Sequence, residues 1–334
     1  MAQRRVLVKG CEAVYHLISR TSFRIFAFGD QEKEVFLSLM RKQAIFCGVE
    51  VLCYCILDNH FHLLVRVPPG ERPGDAEMLR RYRALYAGER RSLRAADPDD
   101  LESLLLGGGV EADLWRRRLW ARMGSVSVFM RELKQRFSIW YNRHHQNTGT
   151  LWSARFKSLV VEPDADAMAC VAAYIDLNPV RAGLVADPAA YRFGSHAAAF
   201  RGGVAEIAAY AWIYGGRADD EAASDCFDAH RAWVSVRCGV SGLEENQATS
   251  SITVVGRDAL PGLFRRSVRY FSDGMALGSK QFLAMFYEAQ RGHFPEKRRF
   301  RFVRMKGADW GGLRVIRDLQ VRVFGTEGGG EMEA

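Results

Sequence analysis

Long apolar runs are missing from this chain of 334 residues, and none reaches the roughly 18 residues that a membrane span needs. Its first residues, Met1 to Arg5, lead straight into Val6, Leu7 and Val8. That start has neither an apolar signal core nor a small-residue cleavage site, so a cytoplasmic protein without a membrane partner is expected. Cysteine is sparse: seven residues, an odd number, with no Cys-x-x-Cys. This argues against a disulfide framework and against a cysteine-based zinc ribbon. Cys53 and Cys55 share one face of an apolar run and read as buried apolar residues. No internal repeat is evident. What is there is a globular composition, 48% apolar and 26% charged, with a formal charge of +8. A basic balance of that size favours a polyanionic partner, nucleic acid or an anionic surface.

The stretch that organises the chain is His60-Phe61-His62. Val49 to Leu57 and Phe61 to Val67 are two β-rich apolar runs, and Asp58-Asn59 between them has turn chemistry. A hairpin is expected. Side chains alternate at period 2, so His60 and His62 project together while Phe61 packs on the opposite face. Two imidazoles side by side on a rigid strand suit a divalent metal. Taken alone, His-x-His fits two partly solvated histidines better than a metal site; the partners described below reverse that.

Around this hairpin the pattern reads as strand (Val14 to Ser19), helix (from an Asp30 cap to a Gly48 stop), and two strands. An arginine-rich helical insertion follows over residues 70–123. Ser125 or Ser127 caps a helix running to about Arg143, with Phe129, Leu133, Phe137 and Tyr141 on one face. Trp152 to Val161 reads as a strand. Asp164 to Leu177 reads as a helix that Asn178-Pro179 must end. The expected fold is α+β: a ferredoxin-like βαββαβ core with an antiparallel sheet over residues 1–200, the insertion, and a C-terminal extension over residues 201–334. Within that extension, His196 to Ala208 reads as helix, Gly239 to Gln247 as linker and Gly311 to Phe324 as a short helix. Lys297 to Arg304 alternates basic and aromatic residues, as a strand with one cationic face would, which suggests an accessory DNA-binding unit. Glu327 to Ala334 reads as a disordered tail.

Three groups of residues carry chemistry. The first is the histidine pair. The second is Tyr174 and Asn178, four apart and so on one helix face. The third is the basic stretch Arg131, Lys134, Arg136, Arg143, Arg155 and Lys157, interleaved with aromatics that include Trp152. Cations with aromatics suit a single strand, neutralising phosphates while exposed bases stack. A divalent cation on two imidazoles and an amide oxygen would leave positions for phosphate oxygens; the donors admit Mg2+ or Mn2+.

These blocks together resemble the REP-associated tyrosine transposases, relatives of the single-tyrosine His-hydrophobe-His insertion-sequence transposases. The resemblance covers His60-Phe61-His62, Phe129 to Phe137, Tyr141-Asn142, Gly149 to Trp152, Arg155-Phe156 and Tyr174 to Leu184, and spans about Val14 to Ser195. It implies metal-dependent cleavage and rejoining of single-stranded DNA beside imperfect hairpins, through a 5′-phosphotyrosine and a free 3′-hydroxyl. Tyr174 is then the nucleophile, and His60, His62 and Asn178 hold Mg2+ or Mn2+. Members can pair so that histidines and tyrosine come from different chains; a homodimer and a monomer both fit these residues. Asp176, two residues from Tyr174, is expected to point away in a structural role, and Glu162 and Asp164 to act as capping charges. Tyr141 is the rival nucleophile, though its spacing from Leu133 and Phe137 suits a packed stripe. His144-His145 reads as a solvated helix end. Two other classes fit the residues: a non-catalytic single-stranded nucleic-acid-binding protein of ferredoxin-like fold, and a metal-dependent hydrolase that uses water in place of Tyr174.

Overall fold

The alternation in Val49 to Val67 becomes the expected hairpin: β2 (Glu50–Ile56) and β3 (His60–Val67) pair antiparallel. Its turn is closed by the Leu57 N–H donating to the His60 carbonyl at 2.9 Å. The Lys33 ammonium holds Asp58 at 2.5 Å and so ties the turn to α1 (Asp30–Cys47). Gly29 takes the N-cap of α1, which makes Asp30 its first helical residue instead of its cap. Gly48 ends α1 as expected, at a left-handed φ of 64°. In this computed structural model the described residues are 8, 11–70, 72–87, 96–216, 222–237, 269–272, 274–294, 302–305 and 312–317.

β1 (Ala13–Arg20) lies between β3 and β4 (Lys157–Val161), antiparallel to both. The sheet order is β2-β3-β1-β4-β5-β7-β6. Its first four strands, with α1 after β1 and α5 (Val126–His144) before β4, make the ferredoxin-like βαββαβ core. Ser125 caps α5 by accepting from the Val128 N–H at 3.4 Å. The insertion is helical: α2 (Asp75–Tyr86), α3 (Pro98–Gly107) and α4 (Gly109–Trp120). Arg116 of α4 donates to both carboxylate oxygens of Asp75 on α2, at 3.0 and 2.7 Å. Among the described residues no helix is long and apolar enough to cross a membrane.

The two faces of the sheet have different chemistry. Phe61 points to the face covered by α1 and α5, where its ring lies 4.6 Å from Phe36 and 5.8 Å from Trp152, centroid to centroid. Phe28 and Phe137 complete that cluster, stacked at 4.9 Å. The opposite face carries the histidines, and α6 (Ala165–Asp176) packs there on β2 and β3. Cys53 and Cys55 are both buried, as expected, and Cys53 bonds Asp176 of α6.

The C-terminal segment extends this same sheet. β5 (Gly274–Gly278) runs parallel to β4, then β7 (Arg314–Arg317) and β6 (Val303–Arg304) follow antiparallel. Between them lie α11 (Arg269–Ser272) and α12 (Lys280–Ala289). Glu162, at the end of β4, accepts from the Ser279 N–H at 2.6 Å and its hydroxyl at 2.9 Å. A Cβ on Gly278 would sit 2.6 Å from that carboxylate, so only glycine allows this approach.

Several local expectations need correction. Arg314–Arg317 is strand where a helix over Gly311 to Phe324 was expected, because Val315 and Ile316 are both buried in the sheet. β4 begins at Lys157, not Trp152; Trp152 makes an isolated bridge to Thr21, and its indole is drawn into the aromatic cluster. The expected helix over His196 to Ala208 is two, α8 (Ser195–Phe200) and α9 (Val204–Ile213), broken at Gly202 with φ 83°. Residues 239–247, 297–301 and 327–334, on which the linker, the cationic strand and the tail were expected, lie outside the described residues, apart from the strand end at Val303 and Arg304.

Leu277, fully buried in β5, tests the continuity of this sheet. Leu277→Ala is expected to cost about 2–5 kcal/mol and to lower the same urea transition as Leu64→Ala. Two separable transitions would make the C-terminal strands an independent unit.

Candidate active site

The sheet register assembles the histidines. Ile18 lies opposite His62, and Arg20 opposite His60. Alternation then puts His16, Ile18 and Arg20 on the face that carries the histidine pair. His60 and His62 have ring centroids 5.1 Å apart. A third histidine joins them: His16 Nε2 lies 3.0 Å from His62 Nδ1, and His16 Nδ1 lies 3.1 Å from the Phe271 carbonyl oxygen.

This chain of contacts dictates the tautomers. A carbonyl can only accept, so His16 Nδ1 carries the hydrogen. His16 Nε2 therefore accepts from the His62 Nδ1–H. His62 Nε2 is left with a bare lone pair, and it is buried without a hydrogen-bond partner. His60 is prepared in the same way, its Nδ1–H donating to Asn59 Oδ1 at 2.7 Å. Burial pushes the pKa of His16 and of His60 down to about 3, with Arg20 and Arg181 adding to the shift at His60. Burial also holds His62 well below the ordinary value, helped by His60 and His16. Neutral imidazoles with free Nε2 atoms are in the state that metal ligation requires. The orphaned His62 Nε2 makes the pair a fit for a divalent cation.

α6 delivers the tyrosine. Asp164 caps this helix by accepting from the Asp166 N–H at 3.1 Å, as its sequence position suggested. The Tyr174 ring packs edge-on to His62 at 5.7 Å and to His16 at 5.8 Å. Phe271 stacks on its other side at 4.3 Å, and the Arg181 guanidinium lies 4.6 Å from the ring centroid. Tyr174 is 2% exposed. Asn178 bonds the end of this helix. Its amide donates to the carbonyls of Tyr174 at 2.9 Å and Ile175 at 3.3 Å, and its oxygen accepts from Arg181 at 3.3 Å. It thereby terminates α6 and starts the single turn α7 (Asn178–Arg181). Arg181 Nε is buried without a hydrogen-bond partner, so part of this guanidinium is free for an anion.

Sequence reasoning missed three groups: His16, Phe271 and Arg181. His16 sat in a strand already recognised, and the alternation of β1 held the signal. Arg181 lay within the quoted Tyr174 to Leu184 block without a role. Phe271 reaches the site from far along the chain, in the stretch Tyr270 to Phe282, which resembles one in larger members of the family but carried no assignable role in the sequence.

The basic stretch is divided by the sheet. Arg131, Lys134, Arg136 and Arg143 ride on α5, across the sheet from Tyr174. The Arg136 guanidinium lies over Tyr86 at 5.0 Å, and Lys134 over Trp152 at the same distance. Arg155 is exposed in the bend before β4. Lys157, opposite Ile18, shares the histidine face. Trp152 is packed: its indole N–H donates to Ser138 Oγ at 2.8 Å, and its ring is 5.9 Å from Phe137. Tyr141 is also a core residue, 9% exposed, as its spacing suggested; burial raises its pKa, and it lies on α5, across the sheet from the histidine pair. The exposed aromatics are elsewhere. Phe23 (97% exposed) and Phe26 (79%) sit in the loop after β1, which hugs the histidine turn through Asn59 Nδ2 to the Arg24 carbonyl and the Phe28 N–H to the Asp58 carbonyl.

Comparison with known proteins bears out the family resemblance for the segment that builds the histidine site. Residues 10–78 match the family "Transposase IS200 like". No curated protein matches the chain. Among solved structures, a REP-associated tyrosine transposase bound to a REP hairpin is 16% identical, with 67% of this chain and 96% of that one covered, at a TM-score of 0.37. A presumed transposase from Deinococcus radiodurans R1 is 17% identical, covering 48% of this chain and 87% of that one, at a TM-score of 0.23. Folds do not superpose as wholes at such scores, so the family likeness rests on residues 10–78.

His16 orients the His62 ring through His62 Nδ1 and leaves His62 Nε2 open. Removing a partner that orients a metal-binding histidine typically weakens affinity by about 10–100-fold. Titration calorimetry of Mn2+ into His16→Ala is expected to give a loss of that size. An unchanged affinity would mean that His16 does not set the lone pair of His62.

Proposed function

We propose that this chain is a single-strand DNA transposase that cuts and rejoins DNA beside hairpins, with Tyr174 as nucleophile and a divalent cation, Mg2+ or Mn2+, at His60 and His62. The observation that carries this reading is the Tyr174 ring packed 5.7 Å from that of His62. His60 and His62 would bind the cation through Nε2, and the Asn178 oxygen would join them once released from Arg181. The bound cation would polarise the scissile phosphate.

The remaining work falls to the chain itself. Arg181, beside the Tyr174 ring, offers charge-assisted donors to the phosphate oxygens. The phenol oxygen attacks phosphorus and loses its proton. The bond from phosphorus to the 3′ oxygen breaks, and that oxygen takes up a proton. The product is a 5′-phosphotyrosine with a free 3′-hydroxyl, and reversal by another 3′-hydroxyl rejoins the strand. At 2% exposure Tyr174 meets a phosphate only after the groups around it, Phe271 first among them, have moved.

The single-stranded preference is supported by Phe23 and Phe26, which are free to stack on unpaired bases beside Arg20 and Arg24. Trp152, already packed, fits a structural role better. The surface cations Arg131, Arg143, Arg155 and Lys157 would follow the flanking phosphates. The hairpin substrate, and a second copy of the chain as partner, come from the family resemblance.

Tyr174→Phe is expected to keep the fold and hairpin binding while eliminating both cleavage and the protein–DNA adduct on a denaturing gel. Tyr141→Phe should retain both. Cleavage that persists in Tyr174→Phe would favour water as nucleophile. The absence of any cleavage or adduct in the unaltered protein with Mn2+ would favour a non-catalytic binder.

The loop aromatics give a separate test. Phe23→Ala with Phe26→Ala is expected to weaken binding to a hairpin with a single-stranded flank by about 1–3 kcal/mol per lost stack. Binding to blunt duplex should not change. Equal losses on both DNAs would remove base stacking from the account.

A further inference from the structure

Beneath α6, on the side of Asp176, lies a second cluster that the transposition chemistry does not use. We propose that Asp176, His196 and His230 form a structural site for a transition-metal dication of the Zn2+ class, which fastens the helices after the core to the helix that carries Tyr174. The three residues come from α6, α8 and α10 (Ala223–Arg237), and all are buried. Their ligand atoms lie within 4.8 Å of one another. Asp176 Oδ2 is 2.8 Å from His230 Nε2 and 3.6 Å from His196 Nδ1.

His196 is the decisive member. It is 1% exposed, yet neither of its ring nitrogens has a hydrogen-bond partner. Burying an imidazole in that state is costly, and such orphans in native structures usually mark a missing ion or water. Here Nδ1 faces a carboxylate already in contact with a second imidazole, so the three donors converge. Tetrahedral Zn2+ with ligands near 2.1 Å would place donor atoms about 3.4 Å apart. The separations of Asp176 Oδ2 from His230 Nε2 and His196 Nδ1, 2.8 and 3.6 Å, bracket that value.

The surroundings are those of a held ligand set. Tyr210 hydroxyl contacts both oxygens of Asp176, at 3.0 and 2.9 Å, and the Cys53 thiol reaches Oδ1 at 3.3 Å. Tyr214 hydroxyl lies 3.0 Å from His230 Nδ1. It can accept from that nitrogen and leave Nε2 for the metal, the usual outer support for a ligating histidine. Imidazole with carboxylate suits Zn2+ better than Mg2+, which prefers an all-oxygen shell. No residue is shared with the His60 and His62 pair, and the site needs no part in cleavage.

The test uses the full chain with the proposed catalytic pair removed, His60→Ala with His62→Ala, and with His144→Ala and His145→Ala to remove the other imidazoles grouped with a carboxylate, Glu32. After exposure to Zn2+ and exhaustive dialysis, elemental analysis should find one zinc per chain, and Co2+ in its place should give the intense visible bands of a tetrahedral centre. Adding His196→Gln should abolish both signals, and stripping the zinc should lower the melting temperature of the parent variant. If that variant does not fold, the unaltered protein serves, with zinc content falling by one per chain in His196→Gln. Retention of no zinc by the parent, or of the same zinc after His196→Gln, overturns the proposal. The cluster would then be a hydrogen-bonded network with water on His196.

Discussion

The hydrogen-bonded line from the Phe271 carbonyl through His16 to His62 is the contact on which the site depends. It runs across two strands, and it involves a residue 255 positions away from His16 in sequence. Each link has one allowed polarity, so the far carbonyl decides where the lone pair of His62 points. The same residue lays its ring on Tyr174. One short segment therefore governs both the candidate ligand and the candidate nucleophile. That segment stands where it does because β5 pairs in parallel with β4, and because Glu162 grips Ser279 where no Cβ would fit. Strand pairing at the sheet edge is thus translated into proton placement at its centre.

The sheet also divides labour between its faces. Phe61, interposed between the histidines, anchors the aromatic cluster under α1 and α5 and fixes the strand against slippage. A one-residue slip would turn both histidines into that cluster. The desolvation that makes the histidines neutral comes from α6 and Phe271 on the other face. Packing on one side and chemistry on the other are set by the same period of two.

Much of the core was legible because its signals are local. The hairpin, the paired histidines, the Asp164 and Ser125 caps and the order of the core strands all follow from alternation, turn residues and helix stops. The Tyr174 helix was legible for the same reason. What was not legible depends on contacts distant in sequence. His16 looks like any strand residue until the register puts Ile18 opposite His62. Trp152 looks like a stacking platform until its indole is seen bonded to Ser138. The cations of α5 look contiguous with Lys157 in sequence, but the sheet separates them. Asn178 shares a helix face with Tyr174, as the spacing requires, yet its amide N–H groups end that helix and its oxygen accepts from Arg181. Val315 and Ile316 lie in a run, Gly311 to Phe324, that reads as a short helix, and pairing with β5 overrides it, since burial in a sheet decides such short apolar runs.

The C-terminal segment was read as an accessory, and its described part has a more central position. A unit that only added affinity would leave the chemical groups complete without it. Here the ring that covers Tyr174 and the carbonyl that orients His16 both belong to α11. Phe271 covers Tyr174, 2% exposed, with its side chain and bonds His16 through its main chain, so the ring could leave without breaking the carbonyl contact. On the proposed function, substrate binding would uncover Tyr174 while His62 stays oriented. This physical separation of lid and relay within one residue would let a buried tyrosine serve as the proposed nucleophile.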